Sequence, residues 1–222
     1  MQDISTRALF DLSHTLAAPL LRECDEPWLA LPRLKEFILS LGEMLDTEIY
    51  RQLSPGVWAA KNAVIAPTAV ITAPAIIGED TEVRHCAYLR GATLIGNNCV
   101  VGNSCELKNC ILFDYVQVPH FNYVGDSILG HRSHMGAGAV TSNVKSDRTS
   151  VALRQGNGKI ETGMKKLGAL VGDYVEIGCN SVLNPGTVVG RRSRVYPLTS
   201  VRGTVPPDSI VKATDTIVPL EK

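Results

Sequence analysis

Residues 63–107 read AVIAPTAVITAPAIIGEDTEVRHCAYLRGATLIGNNCVVGNSCEL, and an apolar residue recurs in them every six positions: Ile65, Ile71, Ile77, Val83, Leu89, Ile95, Val101 and Leu107. Phe113 and Pro119 fall on the next two places of that count. Two residues before each apolar position sits a mostly small side chain, from Ala63, Ala69 and Ala75 to Cys99 and Cys105, and glycine often follows it, as at Gly78, Gly96 and Gly102. The register resumes with Val171, Ile177, Leu183, Val189, Val195 and Val201. Neither an α-helix nor an ordinary strand has this period. A triangular coil with six residues per side does, its turns stacking as parallel strands about 4.8 Å apart. One apolar residue per side fills the narrow interior, and small residues fit the corners.

The composition agrees. Only 5% of the 222 residues are aromatic although 45% are apolar, which suits a core too narrow for rings and excludes wholesale disorder. Lys plus Arg number 22 and Asp plus Glu number 22, so no bulk charge calls for nucleic acid or an anionic membrane. Six cysteines occur without a C-x-x-C pair, and MQDISTRALFDL lacks a basic stretch followed by an apolar run. Reduced thiols and a cytoplasmic location are expected, with Cys99 and Cys105 as inert corner fillers. The charge-free stretch from Ala63 to Gly78 contains Pro67 and Pro74 and is too short to span a bilayer.

The repeat divides the chain into a helical N-terminal segment (1–56), a β-helix (57–206) with an inserted loop (142–168), and a tail (207–222). In the first, Arg33 to Leu45 places Leu34, Phe37, Ile38, Leu41 and Leu45 on one helical face. A shorter helix around Thr15 to Glu23 is interrupted by Pro19. Covering the open end of the coil is the expected role of this segment. In the loop, two short strands flank a Gly-Asn-Gly turn, and Lys145, Arg148, Arg154, Lys159, Lys165 and Lys166 make it basic, as a solvated hairpin or a cover over an anion. After Pro119 the apolar positions become Val124, Leu129 and Met135, so two five-residue steps replace sixes beside His120.

Arg90 and Lys108 stand one coil apart, each after an inward residue, and so stack on one side of the coil. Two adjacent cations repel unless an anion bridges them; Glu106 satisfies one, and a phosphate would satisfy both. His120, at the slip, is a candidate general base. His131 and His134, with His85 or His120, raise a metal alternative, but their spacing matches no established zinc motif, and no metal is expected. The glycines of Met135-Gly136-Ala137-Gly138-Ala139 let a ligand approach backbone N–H groups. Arg191, Arg192, Arg194 and Arg202 form a basic cluster, either solvated or on cofactor phosphates.

The hexapeptide pattern resembles that of left-handed parallel β-helices. The run HFNYVGDSILGHRSHMGAGAVTSN (120–143) resembles the acetyltransferase domain of bacterial bifunctional N-acetylglucosamine-1-phosphate uridyltransferase/glucosamine-1-phosphate acetyltransferases. The stretch KIETGMKKLGALVGDYVEIGCNSVLNPGTVVG (159–190) resembles the C-terminal domain of related archaeal sugar-1-phosphate nucleotidylyltransferases, and the whole chain looks like short bacterial proteins carrying the uridyltransferase label. The resemblance implies a mainly β, left-handed β-helical homotrimer with sites between subunits. It implies His120 as catalytic base, Arg90 and Lys108 as sugar-phosphate ligands, Tyr123 and Asn143 as sugar contacts, and Ala137 lining an acetyl-CoA site. His134 stands where that family has a substrate-binding asparagine, and Val144 replaces an aromatic residue.

The implied activity is acetyl-CoA-dependent N-acetylation of an amino-sugar 1-phosphate, glucosamine 1-phosphate first. Uridyl transfer in that family needs a G-x-G-T-R signature, absent from these residues, so no independent nucleotidyl transfer is expected. The alternatives are a non-catalytic sugar-phosphate or nucleotide-sugar binding module working with a separate nucleotidyltransferase, and a histidine-metal enzyme resembling γ-class carbonic anhydrases.

Overall fold

Residues 2–155, 158–214 and 216–220 are described in the computed structural model. They form a three-faced parallel β-helix. Face 1 contains Val57–Ala60, Ala75–Ile77, Thr93–Ile95, Ala169–Val171, Thr187–Val189 and Thr204–Val205, together with the second halves of Glu106–Leu112 and Tyr123–Leu129. Face 2 runs from Val64–Ile65 through Val100–Asn103, Gln117–His120, His134–Met135 and Glu176–Ile177 to Arg194–Val195. Face 3 holds Val70–Thr72, Tyr88–Arg90, the first halves of the two long strands, Val140–Thr141, Val182–Leu183 and Ser200–Val201.

The hexapeptide sets the interior. Ile77, Val83, Leu89, Ile95, Val101 and Leu107 are buried and stack on their counterparts one coil away, as in Ile77↔Ile95 and Leu89↔Leu107. Each corner is turned by a residue in the left-handed region. Asp80, Cys86, Ala92, Asn98 and Ser104 recur at six-residue intervals with φ between 49° and 58°. The small residue after the corner closes the rung: Cys99 and Cys105 give their thiol hydrogens to the carbonyls of Phe113 and Val118 in the next coil, at 3.0 and 3.1 Å. Burial pushes the Cys99 thiol up to about 12 and the Cys110 thiol up as well, so neither is a nucleophile near neutral pH.

The phase slip lies one step earlier than the sequence count places it. The registers Ile95↔Leu112 and Val101↔Val118 make Leu112 and Val118 the inward residues, in place of Phe113 and Pro119. The shortened steps are Leu107 to Leu112 and Val124 to Leu129, because Asn109 and Asp126 take the corner conformation five residues after the preceding corners. At these two rungs one strand runs unbroken from face 3 around to face 1. His120 therefore lies on a regular rung, and the irregular corner belongs to Asp126. Leu112 and Phe113 are both buried, which is why the apolar count could not separate them. Phe113 packs on Phe10, ring centroids 5.2 Å apart.

Up to its last strand, the N-terminal segment does not cap an end. It lies lengthwise along face 1. Gln2 donates to the Val205 carbonyl, the Leu9 carbonyl accepts from the Asp173 amide and Arg191 Nε, and the His14 carbonyl accepts from the Asp114 amide. Pro27–Arg33 packs against Tyr123–Leu129, and the helix Leu34–Met44 crosses Ala75–Ile77, Thr93–Ile95 and Glu106–Leu112. The reason is an apolar column on the outside of face 1: Ile76, Leu94, Ile111, Ile128, Leu170 and Val188 are all buried beneath this strap. Pro19 sits at the start of the helix Ala18–Arg22, where its missing N–H costs nothing. Gly42 faces the Trp58 ring, which a Cβ at that position would approach to 2.4 Å. The strand Tyr50–Ser54 pairs antiparallel with Val57–Ala60 and covers the edge of the first rung.

The inserted loop forms the expected hairpin, Ala152–Gln155 with Gly158–Glu161, and its turn residues Gly156 and Asn157 lie outside the described residues. Val151 and Leu153 are buried, and Thr204 donates to the Arg154 carbonyl, so the hairpin lies on the last coils rather than in solvent. The β-helix also runs past residue 206. Ser209–Ala213 adds a rung to face 2, and Thr216–Pro219 folds back against it.

Candidate functional site

Face 3 and the corner leading into it gather most of the residues singled out above. Tyr88, Glu106, Tyr123 and Val140 occupy one outward column on successive rungs. Arg90 and Lys108 follow the inward Leu89 and Leu107 on adjacent rungs, so the stacking expected from their spacing holds. Each cation has its own carboxylate. Arg90 Nη1 lies 2.9 Å from Glu106 Oε1, and Lys108 Nζ lies 3.2 and 3.3 Å from the two oxygens of Asp126.

Asp126 is the buried hub of this edge. Besides Lys108 it accepts from Asn109 Nδ2 at 2.8 Å and from Asn143 Nδ2 at 2.5 Å. Asn143 also donates to the Tyr123 hydroxyl at 3.2 Å. Burial, followed by the Asp126 charge, raises the Tyr123 phenol above its usual range, so it stays a neutral hydrogen-bonding group. The sequence reading passed over Asp126 and treated Glu106 only as a possible partner. The signal was present, since Asp126 stands 18 residues after Lys108 and 17 before Asn143, about one coil from each.

His120 ends face 2 and is exposed. The register Gln117↔His134 carries His120 beside Ala137 on the next rung. Asn122, buried at the corner, ties the two rungs together. Its Oδ1 accepts from the His120 amide at 3.0 Å, and its Nδ2 donates to the carbonyls of Gly136 (2.7 Å) and Ala139 (3.0 Å). The Gly136 amide donates to the Ile177 carbonyl and the Gly138 amide to that of His120, while the Ala137 amide between them finds no acceptor among the described residues. Ala137 in turn accepts from the Asn180 amide, which brings the exposed Cys179 alongside.

His134 sits apart from this group. It lies on face 2 in the column Gln117, His134, Glu176, Arg194, with Nδ1 2.9 Å from Glu176 Oε2. The other histidines also have separate partners. His131 stacks on His14 at 3.7 Å, and His85 contacts Thr68. Among the described residues no three His, Cys, Asp or Glu side chains converge as a metal set. Among them, too, no helix is long and apolar enough to cross a membrane.

Chemically, the edge offers two cations each paired with a carboxylate, a fixed phenol and carboxamide, an accessible imidazole, and an amide one rung from it. Fold and site together define a hexapeptide-repeat parallel β-helix with a polar outer face. The chain belongs to the GMPPB C-terminal domain family, which matches residues 71–213. A bifunctional protein GlmU of Methanococcus maripaludis is 32% identical over 198 residues, covering 88% of this chain and 48% of that protein. A bifunctional sugar-1-phosphate nucleotidylyltransferase/acetyltransferase of Sulfurisphaera tokodaii is 32% identical over 111 residues, covering 50% of this chain and 28% of that one. The chain thus spans less than half the length of these two relatives. Among solved structures, AntD, an N-acyltransferase from Bacillus cereus solved with dTDP and coenzyme A, superposes with a TM-score of 0.46 at 17% identity, covering 74% of this chain and 80% of AntD.

Proposed function

We propose that the chain is an acetyl-CoA-dependent N-acetyltransferase acting on an amino-sugar 1-phosphate, with glucosamine 1-phosphate the first candidate. The observation that carries this reading is the placement, on face 3 and the corner leading into it, of the Arg90 and Lys108 pair, the Tyr123–Asn143 contact, and the His120–Ala137 corner. The sugar phosphate lies between Arg90 and Lys108 and takes over contacts now made by Glu106 and Asp126. Tyr123 and Asn143 orient the ring. His120 accepts the proton of the sugar amine as its nitrogen attacks the thioester carbonyl; the C–S bond breaks and coenzyme A leaves as the thiol. The Ala137 amide stabilises the developing oxyanion. The acetyltransferase half of the Sulfurisphaera tokodaii relative's name agrees with this chemistry.

His120 and Arg90 are exposed in the single chain, so face 3 is an open surface. We propose that a neighbouring subunit of a homotrimer closes it, and that the protein works in the cytoplasm, where acetyl-CoA is available. A sedimentation mass of one chain would refute the trimer. Thiol release from acetyl-CoA with a panel of amino-sugar 1-phosphates tests the chemistry. Release is expected to depend on one sugar and to fall about 10²–10⁴-fold in His120→Ala, the range for loss of a general base. The second reading, a sugar-phosphate or nucleotide-sugar binding module serving a separate nucleotidyltransferase, is favoured by His134 and Val144, which depart from the residues of the family this chain resembles. It predicts sugar-phosphate binding with no thiol release.

A further inference from the structure

A large cavity lies away from this edge, along the corner between faces 1 and 2. It measures about 800 Å³, a volume that suits a small-molecule ligand. Two columns of side chains line it. The corner column alternates aromatic and cation, Tyr115, Arg132, Tyr174 and Arg192, on successive rungs. Rungs stand about 4.8 Å apart. The second column is the outward position of face 2, ending in Glu176 and Arg194.

The partners already made decide what remains available. The Arg132 guanidinium lies 4.3 Å over the Tyr115 ring, so this pair is closed on itself. Tyr174 meets buried His131 only edge-on, with centroids 5.4 Å apart at 84°, and is half exposed, which leaves a ring face free. Arg192 is held by Asp208 through two contacts of 2.6 and 2.7 Å, which fixes its guanidinium beside the groove. Arg194 has no carboxylate within ion-pair distance among the described residues. A half-exposed aromatic ring and a cation with no carboxylate within ion-pair distance among the described residues therefore face one cavity, with Glu176 on the rung beside Arg194. Ser133, whose buried hydroxyl has no hydrogen-bond partner, also lines it.

We infer that this groove binds a nucleoside diphosphate, free or as the nucleotide part of a nucleotide sugar. The base stacks on Tyr174, as bases do on exposed aromatic side chains. The diphosphate takes Arg194, with Arg192 beside it; guanidinium groups match phosphate oxygens in a planar, two-pronged fashion. The site is separate from the acyl-transfer edge and does not depend on the proposed reaction.

Isothermal titration of the full chain with UDP and with GDP tests it. Saturable binding of at least one of them is expected, weakened tenfold or more by Tyr174→Ala and by Arg194→Ala. Binding is expected to be unchanged in His120→Ala and in saturating coenzyme A. Uridine alone and inorganic pyrophosphate alone are expected to bind more weakly than UDP. UDP-glucose binding as well as UDP would indicate a nucleotide sugar as the occupant; binding of UDP alone would indicate the free diphosphate. No saturable binding by folded protein, affinity unaffected by both substitutions, pyrophosphate binding as tight as UDP, or displacement by coenzyme A would each overturn the inference.

Discussion

Faces 1 and 3 are made by the same hexapeptide, and the residue just before each inward position separates them. On face 1 that residue is Ile76, Leu94, Ile111, Ile128, Leu170 or Val188, each buried under the N-terminal strap. On face 3 it is Tyr88, Glu106, Tyr123 or Val140, and the neighbouring outward places hold Arg90 and Lys108. The inward residue is apolar on both, Thr141 on face 3 excepted. One position in six therefore makes the coil, and the position before it decides whether a face is packed against other chain or offered to a ligand. On face 2 the same position holds Gln117, His134, Glu176 and Arg194, which line the large groove.

The sharpest way to break this contrast is to put a charge at that position on both faces. Ile111→Asp buries an unpaired carboxylate beneath the strap and is expected to cost more than about 4 kcal/mol. Val140→Asp on face 3 is expected to stay within about 0.5 kcal/mol. Denaturant unfolding of the two variants measures the difference, and equal losses would refute the division. Next comes the hub of the polar edge. Asp126→Ala leaves Lys108, Asn109 and Asn143 without their shared acceptor, and a loss of about 2 kcal/mol is expected by the same measurement. A neutral result would make that network a surface feature.

A smaller effect tests the strap itself. Gly42→Ala drives a methyl group into the Trp58 ring and is expected to cost about 1–2 kcal/mol. Combining it with Trp58→Leu should recover part of that loss in a double-mutant cycle. The smallest effect is electrostatic. Burial first, then the charges of His14 and Arg132, lowers the His131 pKa, with Asp114 and Asp11 opposing. A depressed folded pKa means the unfolded chain binds this proton more readily. His131 thus contributes stability that is complete above its unfolded value near 6.5 and is lost as pH falls through the lowered folded value. Between pH 7.5 and 5.5 the melting temperature is expected to fall more steeply for the wild type than for His131→Phe. Parallel slopes would remove His131 as the cause.

The interior was legible because a period of six admits one geometry, and Ile65 to Leu107 repeat it without a break. The corners were less so. Leu112 and Phe113 are both apolar, and only strand register shows which one points inward. Arg90, Lys108 and His120 could be named from spacing and resemblance. Asp126 had only its spacing from Lys108 and Asn143 to point to it, and Asn122 had no such signal, because its importance comes from a turn that folds a polar side chain back toward the next coil. The route of the strap was also missed, although its signal stood in the sequence. Ile76, Leu94, Ile111 and Ile128 recur at intervals of 18 and 17, a second apolar count running beside the first.

That strap bears on how the molecule comes apart. A bare stack of rungs touches only nearest neighbours, so it can fray from either end one coil at a time, its stability a running sum of local terms. Here one continuous segment is hydrogen-bonded to the Val205 rung at Gln2 and to the middle rungs at Leu9 and His14, and packs on the Trp58 rung at Gly42. The last coil cannot be released without disturbing the segment that also covers the first. The strap converts a linear array into a closed cooperative unit, and the open edge that carries the candidate site is held in register from both ends at once.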